Sequence, residues 1–433
     1  MRRSSPNRLI FQRLIFQRLI FQRPIFQRPI FQRPIFQRLI IQRPIFQRLI
    51  YHLVSLGLCV WACGESLPFE PAGPEAAPNP AELGPYPVGV ATYELTDPRR
   101  ITNGHARRVV TEVWYPASEE ARDGRGFEYP IIDMVHPNIR ADFAPDELGV
   151  IPTSAVRDAE PRSVGPFPLV LFSHGNGAMR VQSTFLTVWL ASHGYVVAAP
   201  DHEGNTLADF STLNRLDFSN VLESYLDRPL DFAVVIEQLG ARARDDDPIA
   251  TLVDFERMGT VGHSLGAATA IRSSGIERKI DAVVAHSPPG YLLTWREVDV
   301  ELEDVGIPVF IQAGRLDETL PPENPRSVYE HLSAPAYSLE LETAGHFTFS
   351  DLCILSAGAI AKADEYGVGN VLEDGCGPEN LPAAVALPLV RAYSIGFFNR
   401  FLRSSEGSAT YLEETSGTEL VGRAGEVHLE VKR

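Results

Sequence analysis

The sequence predicts an α/β fold with a mostly parallel central sheet flanked by helices. Three observations predict it. Short apolar runs alternate with helical stretches from residue 87 onward, and such βαβα order implies parallel pairing. Gly and Pro are plentiful, 33 and 34, as many strand–turn–helix junctions require. One apolar strand runs into a Gly-x-Ser-x-Gly turn and a helix of small residues.

The expected folded region is residues 88–412. At about 340 residues once the first 90 are set aside, the chain is large for one domain, yet single-sheet α/β enzymes reach this size. A hydrophobic fraction of 44% is ordinary for a folded protein. Strands are expected at 88–96 and 109–117. A polar, Pro-rich insertion fills 118–165. A buried strand at 167–172 closes at Ser173-His174-Gly175-Asn176-Gly177. A helix (180–194) and a strand (194–200) ending at Asp201 follow. Arg228-Pro229-Leu230-Asp231 reads as the opening of a helix to about Leu239, with Pro in its favoured first turn.

Next comes the segment that carries chemistry, Gly262-His263-Ser264-Leu265-Gly266. It fits the nucleophile elbow. The serine must sit on a sharp strand-to-helix turn, and glycines two residues either side let strand and helix approach. Ala267, Ala268 and Ala270 let the helix pack on the sheet. Its N-terminus directs amides at a developing oxyanion.

A serine nucleophile needs a base and an acid to orient that base. In this fold the chain order is Ser, acid, His. The apolar run 307–314 ends in Gly-x-x-Asp at Asp317, with Glu318 the nearest rival. After another helix and a strand at 337–342, Gly345 precedes His346. The predicted triad is therefore Ser264, Asp317 and His346. The predicted oxyanion hole uses the backbone amides of Asn176 and Leu265. His174 and His263 are expected to structure their loops, and His193, His202 and His286 to pack or hydrogen-bond near strand ends. Residues 387–402 read as a closing amphipathic helix and 413–433 as a C-terminal tail.

From about 84 to 412 the chain resembles the dienelactone-hydrolase-like proteins and the plasma-type platelet-activating factor acetylhydrolases. The resemblance is carried by TEVWYPA, LVLFSHGNGA, LASHGYVVAAPDHEGNT, RPLDFAVVIEQL, GHSLGAATA and GHFTFSD. It implies an α/β-hydrolase fold and cleavage of a small-molecule or lipid carboxylic ester through an acyl-enzyme, without a cofactor. Departures matter: Ala267 replaces a frequent second glycine, which should be tolerated, and two others bear on substrate. The acetylhydrolases place their acid after the strand that follows the elbow helix, but here that strand (280–288) ends without a carboxylate, which leaves Asp317 one strand later. Dienelactone hydrolases proper use a cysteine nucleophile, where this chain has Ser264. An amidase or polyester hydrolase with the same triad, and an inactive surface lipoprotein using the fold as a binding scaffold, are the alternative readings.

The N-terminal part follows other rules. Residues 8–50 repeat with a period of five, which matches neither helix nor strand, and Pro24, Pro29, Pro34 and Pro44 forbid a regular helix. A five-residue repeat corresponds to a fifteen-base repeat in DNA. The expectation for 1–48 is a tandem repeat translated ahead of the true start, with a disordered basic arm as the alternative. Residues 49–63 have the layout of a secretory signal, too short to span a bilayer, ending in a lipoprotein-type box at Cys63. Residues 64–87 read as a Pro-rich tether. An exported protein, secreted or anchored in the bacterial envelope through Cys63, is expected, and a disulfide between Cys353 and Cys376 is plausible there.

Charge excludes one class of partner. Residues 1–50 hold 11 Arg and no acid, so from a net −16 the remainder carries −16 − 11 = −27. Phosphate backbones would be repelled, and no nucleic-acid partner is expected. The four cysteines form no CxxC pair, and no Cys/His cluster has zinc spacing, so no metal is expected.

Overall fold

In the computed structural model of the chain, the apolar runs become the parallel centre of one sheet. The structure describes residues 78–210, 221–277, 279–291, 301–355, 369–422 and 426–433. The period-five repeat, the leader with Cys63 and most of the tether lie outside them, as do parts of the loops at 203–226 and 353–376.

Twelve strands are described: β1 (Val88–Thr102), β2 (His105–Pro116), β3 (Glu128–Pro130), β4 (Val150–Pro152), β5 (Val156–Arg157), β6 (Phe167–Ser173), β7 (Val196–Pro200), β8 (Val253–His263), β9 (Ile280–His286), β10 (Val309–Gly314), β11 (Ala336–Leu341) and β12 (Val427–Lys432). The main sheet has the order β12-β11-β10-β9-β8-β6-β7-β2-β1-β5, and β3 pairs with β4 in the 118–165 insertion. Strands β6 to β11 are mutually parallel, while β1, β2 and β12 pair antiparallel at the flanks.

Alternation explains why the central strands read as unbroken apolar runs. Val170 and Phe172 of β6 pack into one core with Val261, Val284 and Phe310. Phe167, Leu169 and Leu171 face the other side and pack with Phe232, Val235 and Leu239. Both faces are covered, so both residue parities must be apolar. The longer helices that pack on the sheet are α1 (Thr184–Ser192), α2 (Val221–Arg244), α3 (Leu265–Ile276), α4 (Glu323–His331), α5 (Ala383–Leu402) and α6 (Glu414–Val421); short helices also form at Pro137–Arg140 and Gly369–Cys376. No helix of the described residues is long and apolar enough to cross a membrane.

Three expectations need correction. Helix α2 does not open at Arg228: it already runs from Val221, and Pro229 lies inside it. A mid-helix proline cannot donate to the carbonyl four residues back. Here that carbonyl, of Tyr225, accepts from Arg272 Nη1 at 2.7 Å, which satisfies it from α3. Helix α5 is not amphipathic but buried on most of its circumference. Its Tyr393 and Phe397 pack on Phe310 of the sheet, with ring centroids 6.0 and 5.3 Å apart. The stretch 413–433 is not a tail. It supplies α6 and β12, which adds antiparallel to β11 from Val427 to Lys432 and covers an edge that would otherwise present unpaired amides.

The strand order also fixes where a ligand site belongs. From β6 the chain first moves outward to β7, then returns to place β8 on the opposite side of β6. Loops leaving the carboxyl ends of β6 and β8 therefore diverge and open a crevice.

Candidate active site

Ser264 occupies the turn between β8 and α3 with φ 56° and ψ −122°. Positive φ in a residue with a Cβ costs about 1–3 kcal/mol and persists only where the surroundings enforce it. Here the enforcement is visible. The Ser264 amide donates to the carbonyl of His286 on β9 at 2.8 Å. A Cβ on Gly262 would lie 2.1 Å from the Gly266 carbonyl oxygen, and one on Gly266 would lie 2.0 Å from that of Ser173. Both motif glycines are thus needed for strand, turn and helix to close on one another. Among the described residues no group takes up the Ser264 hydroxyl, which is half-buried at the crevice.

On the neighbouring strand ends, Asp317 follows β10 and His346 follows β11. Both are buried, at 3% and 2% exposure. His346 Nδ1 lies 2.7 Å from Asp317 Oδ2. The carboxylate accepts only, so Nδ1 carries the proton and Nε2 is left as the basic nitrogen. Asp317 Oδ1 accepts from the Leu320 amide at 2.6 Å. The rival Glu318 contributes its backbone amide to Asp374 instead.

Asp374 was invisible to sequence reasoning. Its Oδ2 accepts from the amides of Glu318 (3.0 Å) and Thr319 (2.7 Å) and from Thr319 Oγ1 (2.8 Å). Its Oδ1 accepts from the His346 amide at 3.0 Å. One carboxylate so pins the loops of Asp317 and His346 together. Two residues on, Cys376 is joined by a disulfide to Cys353, with Cα atoms 5.0 Å apart.

Across the crevice the loop His174–Gly177 leaves β6. The Gly175 amide donates to Gln182 Oε1 at 2.7 Å, and Gln182 Nε2 lies 2.6 Å from His263 Nδ1. The Gln182 amide group donates there, so the His263 proton sits on Nε2 and is donated to the His346 carbonyl at 2.9 Å. Burial, reinforced by His346, holds the His263 imidazole well below its ordinary pKa. It is a neutral brace between the two loops. Burial likewise pushes His202 and His286 down to about 3. The amides of Asn176 and Leu265 have no hydrogen-bond acceptor among the described residues. Gly175 lies close enough to the elbow that a Cβ there would be 3.6 Å from the Ser264 Cβ.

The sequence-predicted residues are therefore gathered at one edge of the sheet: Ser264 after β8, Asp317 after β10, His346 after β11, and Asn176 after β6. Sequence reasoning also missed Gln182, Asn205 and the role of Arg228. An arginine and an aspartate inside the apolar helix segment Arg228–Asp231 were the one signal available.

A sheet of this order, with a strained serine elbow beside its switch point and an Asp–His couple two and three strands away, defines an α/β-hydrolase. Comparison with known proteins narrows the class. The family model for platelet-activating factor acetylhydrolase, isoform II, matches residues 143–216. Platelet-activating factor acetylhydrolase from Bos taurus is 27% identical over 172 residues, covering 32% of this chain and 38% of the relative. Cutinase est1 from Thermobifida alba is 25% identical over 191 residues, 43% of this chain and 56% of that protein. The chain thus spans well under two thirds of the length of these relatives. A solved structure of a ferulic acid esterase from Streptomyces cinnamoneus superposes with a TM-score of 0.56 at 27% identity, over 74% of this chain and 91% of that one. The chain is an α/β-hydrolase similar to the platelet-activating factor acetylhydrolases.

Proposed function

We propose that the protein is a carboxylic ester hydrolase acting through an acyl-enzyme on Ser264. The observation that carries the reading is the buried His346–Asp317 pair, 2.7 Å apart, on strand ends neighbouring a serine held at positive φ. Esterase, cutinase and acetylhydrolase likenesses support it.

In this mechanism His346 Nε2 removes the Ser264 proton as Oγ attacks the ester carbonyl. Asp317 keeps the imidazole in the required tautomer and stabilises the imidazolium. The amides of Leu265 and Asn176 take up the oxyanion. His346 then protonates the departing alkoxide, and the same residues activate a water that releases the acid. Bonding of Ser264 to His346 need not be present before substrate arrives, because such contacts tighten in the Michaelis complex.

Two supports favour an exported protein anchored at Cys63: the leader-like segment 49–63, and a Cys353–Cys376 disulfide, which persists in oxidising compartments. Lipid labelling that is lost in Cys63→Ala tests the anchor.

Turnover of p-nitrophenyl esters of graded acyl length by the full chain tests the activity. Hydrolysis abolished by Ser264→Ala is expected. A folded chain that turns over no ester would contradict the reading.

A further inference from the structure

We propose that Arg228 is a positioning residue for the oxyanion hole: its buried guanidinium fixes and polarises the Gly175–Asn176 peptide so that the Asn176 N–H faces the crevice. The proposal rests on the ester-hydrolase reading of the site.

Arg228 is fully buried, at 0% exposure. A guanidinium has five N–H donors in a rigid fork, and each finds an acceptor. Nε donates to Ser224 Oγ at 2.8 Å. Nη1 donates to the His174 carbonyl and, at 3.4 Å, to Ser173 Oγ. Nη2 donates to the Gly175 carbonyl at 3.1 Å and to Asn205 Oδ1. Three of these five acceptors belong to the oxyanion loop or to Asn205, which itself holds that loop, and a fourth, Ser173 Oγ, ends β6 directly before it. Asn205 Nδ2 donates to Asn176 Oδ1 at 2.9 Å, and Asn205 Oδ1 accepts from the Gly177 amide at 3.4 Å.

The peptide geometry converts this grip into a direction. Gly175–Asn176 is a trans peptide, since the cis bonds are elsewhere, at Gly165–Pro166 and Ala334–Pro335. In a trans peptide the C=O and N–H point in opposite senses in one plane. Pulling the Gly175 oxygen onto Arg228 behind the loop therefore turns the Asn176 N–H to the opposite side. A charged donor on the oxygen also polarises the amide and strengthens its N–H as a donor.

The charge itself is held unusually. No carboxylate contacts Arg228 among the described residues. The nearest candidate, Asp231, is engaged by Arg107 Nε and Nη2, both at 2.7 Å, by Arg100 Nη2 at 2.7 Å and by His202 Nδ1 at 2.9 Å. A buried cation whose hydrogen-bond acceptors are all neutral is costly, and burial pulls Arg228 down to about 9, with the nearby Asp231 charge opposing the shift. The developing oxyanion would place a further negative charge one peptide away, so the cation favours the transition state over the ground state.

The test uses the full chain with Arg228→Lys, Arg228→Met and, cutting only one arm, Asn205→Ala. Each is assayed on a p-nitrophenyl ester and on the matching thionoester, whose sulfur accepts hydrogen bonds poorly. For Arg228→Met, kcat on the ester should fall by about 10²–10³-fold, the usual effect of losing one oxyanion donor, with KM within twofold. The thionoester should lose far less, so the ester-to-thionoester ratio should collapse. Arg228→Lys should keep part of the ratio. Asn205→Ala should show the same signature at about tenfold, which keeps the test available if Arg228→Met does not fold. Unchanged kcat in folded variants, or equal loss on both substrates, would overturn the assignment alone. A parent without ester turnover would overturn the hydrolase reading and this proposal with it.

Discussion

The two walls of the crevice are held by different physics. The wall proposed to take up the oxyanion, from His174 to Gly177, is fixed from behind by a buried network of Arg228, Asn205, Ser173, His202 and Asp231. The opposite wall, carrying the proposed acid Asp317 and base His346, is fixed by one carboxylate, Asp374, and by a disulfide two residues away. His263 spans them, through Gln182 on one side and the His346 carbonyl on the other. A wall of buried charge is rigid while its protonation states hold, because removing one partner strands another at a cost of about 3–5 kcal/mol. A covalent staple is indifferent to pH in that range but answers to reductant. The same crevice should therefore fail by two separable routes.

The largest expected effect comes from the groups on which both walls converge. Ser264→Ala or His346→Ala should each lower kcat by roughly 10⁵–10⁶-fold, and the double variant should do little more. Multiplicative losses in a kinetic double-mutant cycle would contradict a shared step. Next, Asp317→Asn should cost about 10⁴-fold by favouring the wrong tautomer of His346. A loss under tenfold, or a larger effect from Glu318→Gln, would move the acid elsewhere.

Smaller effects separate the walls. Cys376→Ser, or reduction of the native protein, should destabilise it by about 3 kcal/mol through the loop closed between residues 353 and 376. Denaturant unfolding with and without reductant measures this. Equal midpoints would show that Asp374 needs no covalent support. Acid should act on the other wall. Burial holds His202 at about 3, and His174 also well below its ordinary value. Each is neutral when folded and takes up a proton when unfolded below about 6.5. Their contribution to stability is present above that value and lost as pH falls below it, for His202 as pH falls toward 3. Each should add up to about 1.4 kcal/mol per pH unit to the slope within this window. His202→Gln should flatten the slope, and an unchanged slope would mean that this wall does not carry the acid sensitivity.

The sequence exposed these walls unequally, for physical reasons. Strands β6 to β10 were legible because a parallel strand buried on both faces must be apolar throughout. Ser264 was legible because its turn demands glycines at fixed offsets, Asp317 because it follows such a strand, and His346 because it comes after the next strand, in the order a serine nucleophile, acid and base would require. Strand β12 was missed: Val427–Lys432 is a half-exposed edge whose mixed residues resemble a tail. The start of α2 was misread because Pro229 looks like a helix-opening residue when the arginine of α3 that satisfies Tyr225 is out of view. Asp374 and Arg228 left the weakest traces. Asp374 is held mainly by backbone amides distant in sequence, and Arg228 reaches two carbonyls of the loop after β6; a main-chain partner leaves no residue type to recognise.

The most direct test of the account is a fluorophosphonate adduct mapped by mass spectrometry on the full chain, beside His346→Ala. A single adduct on the peptide carrying Ser264 is expected, formed in the parent and strongly slowed in the variant. Labelling at a different serine, or equal labelling with and without His346, would contradict it.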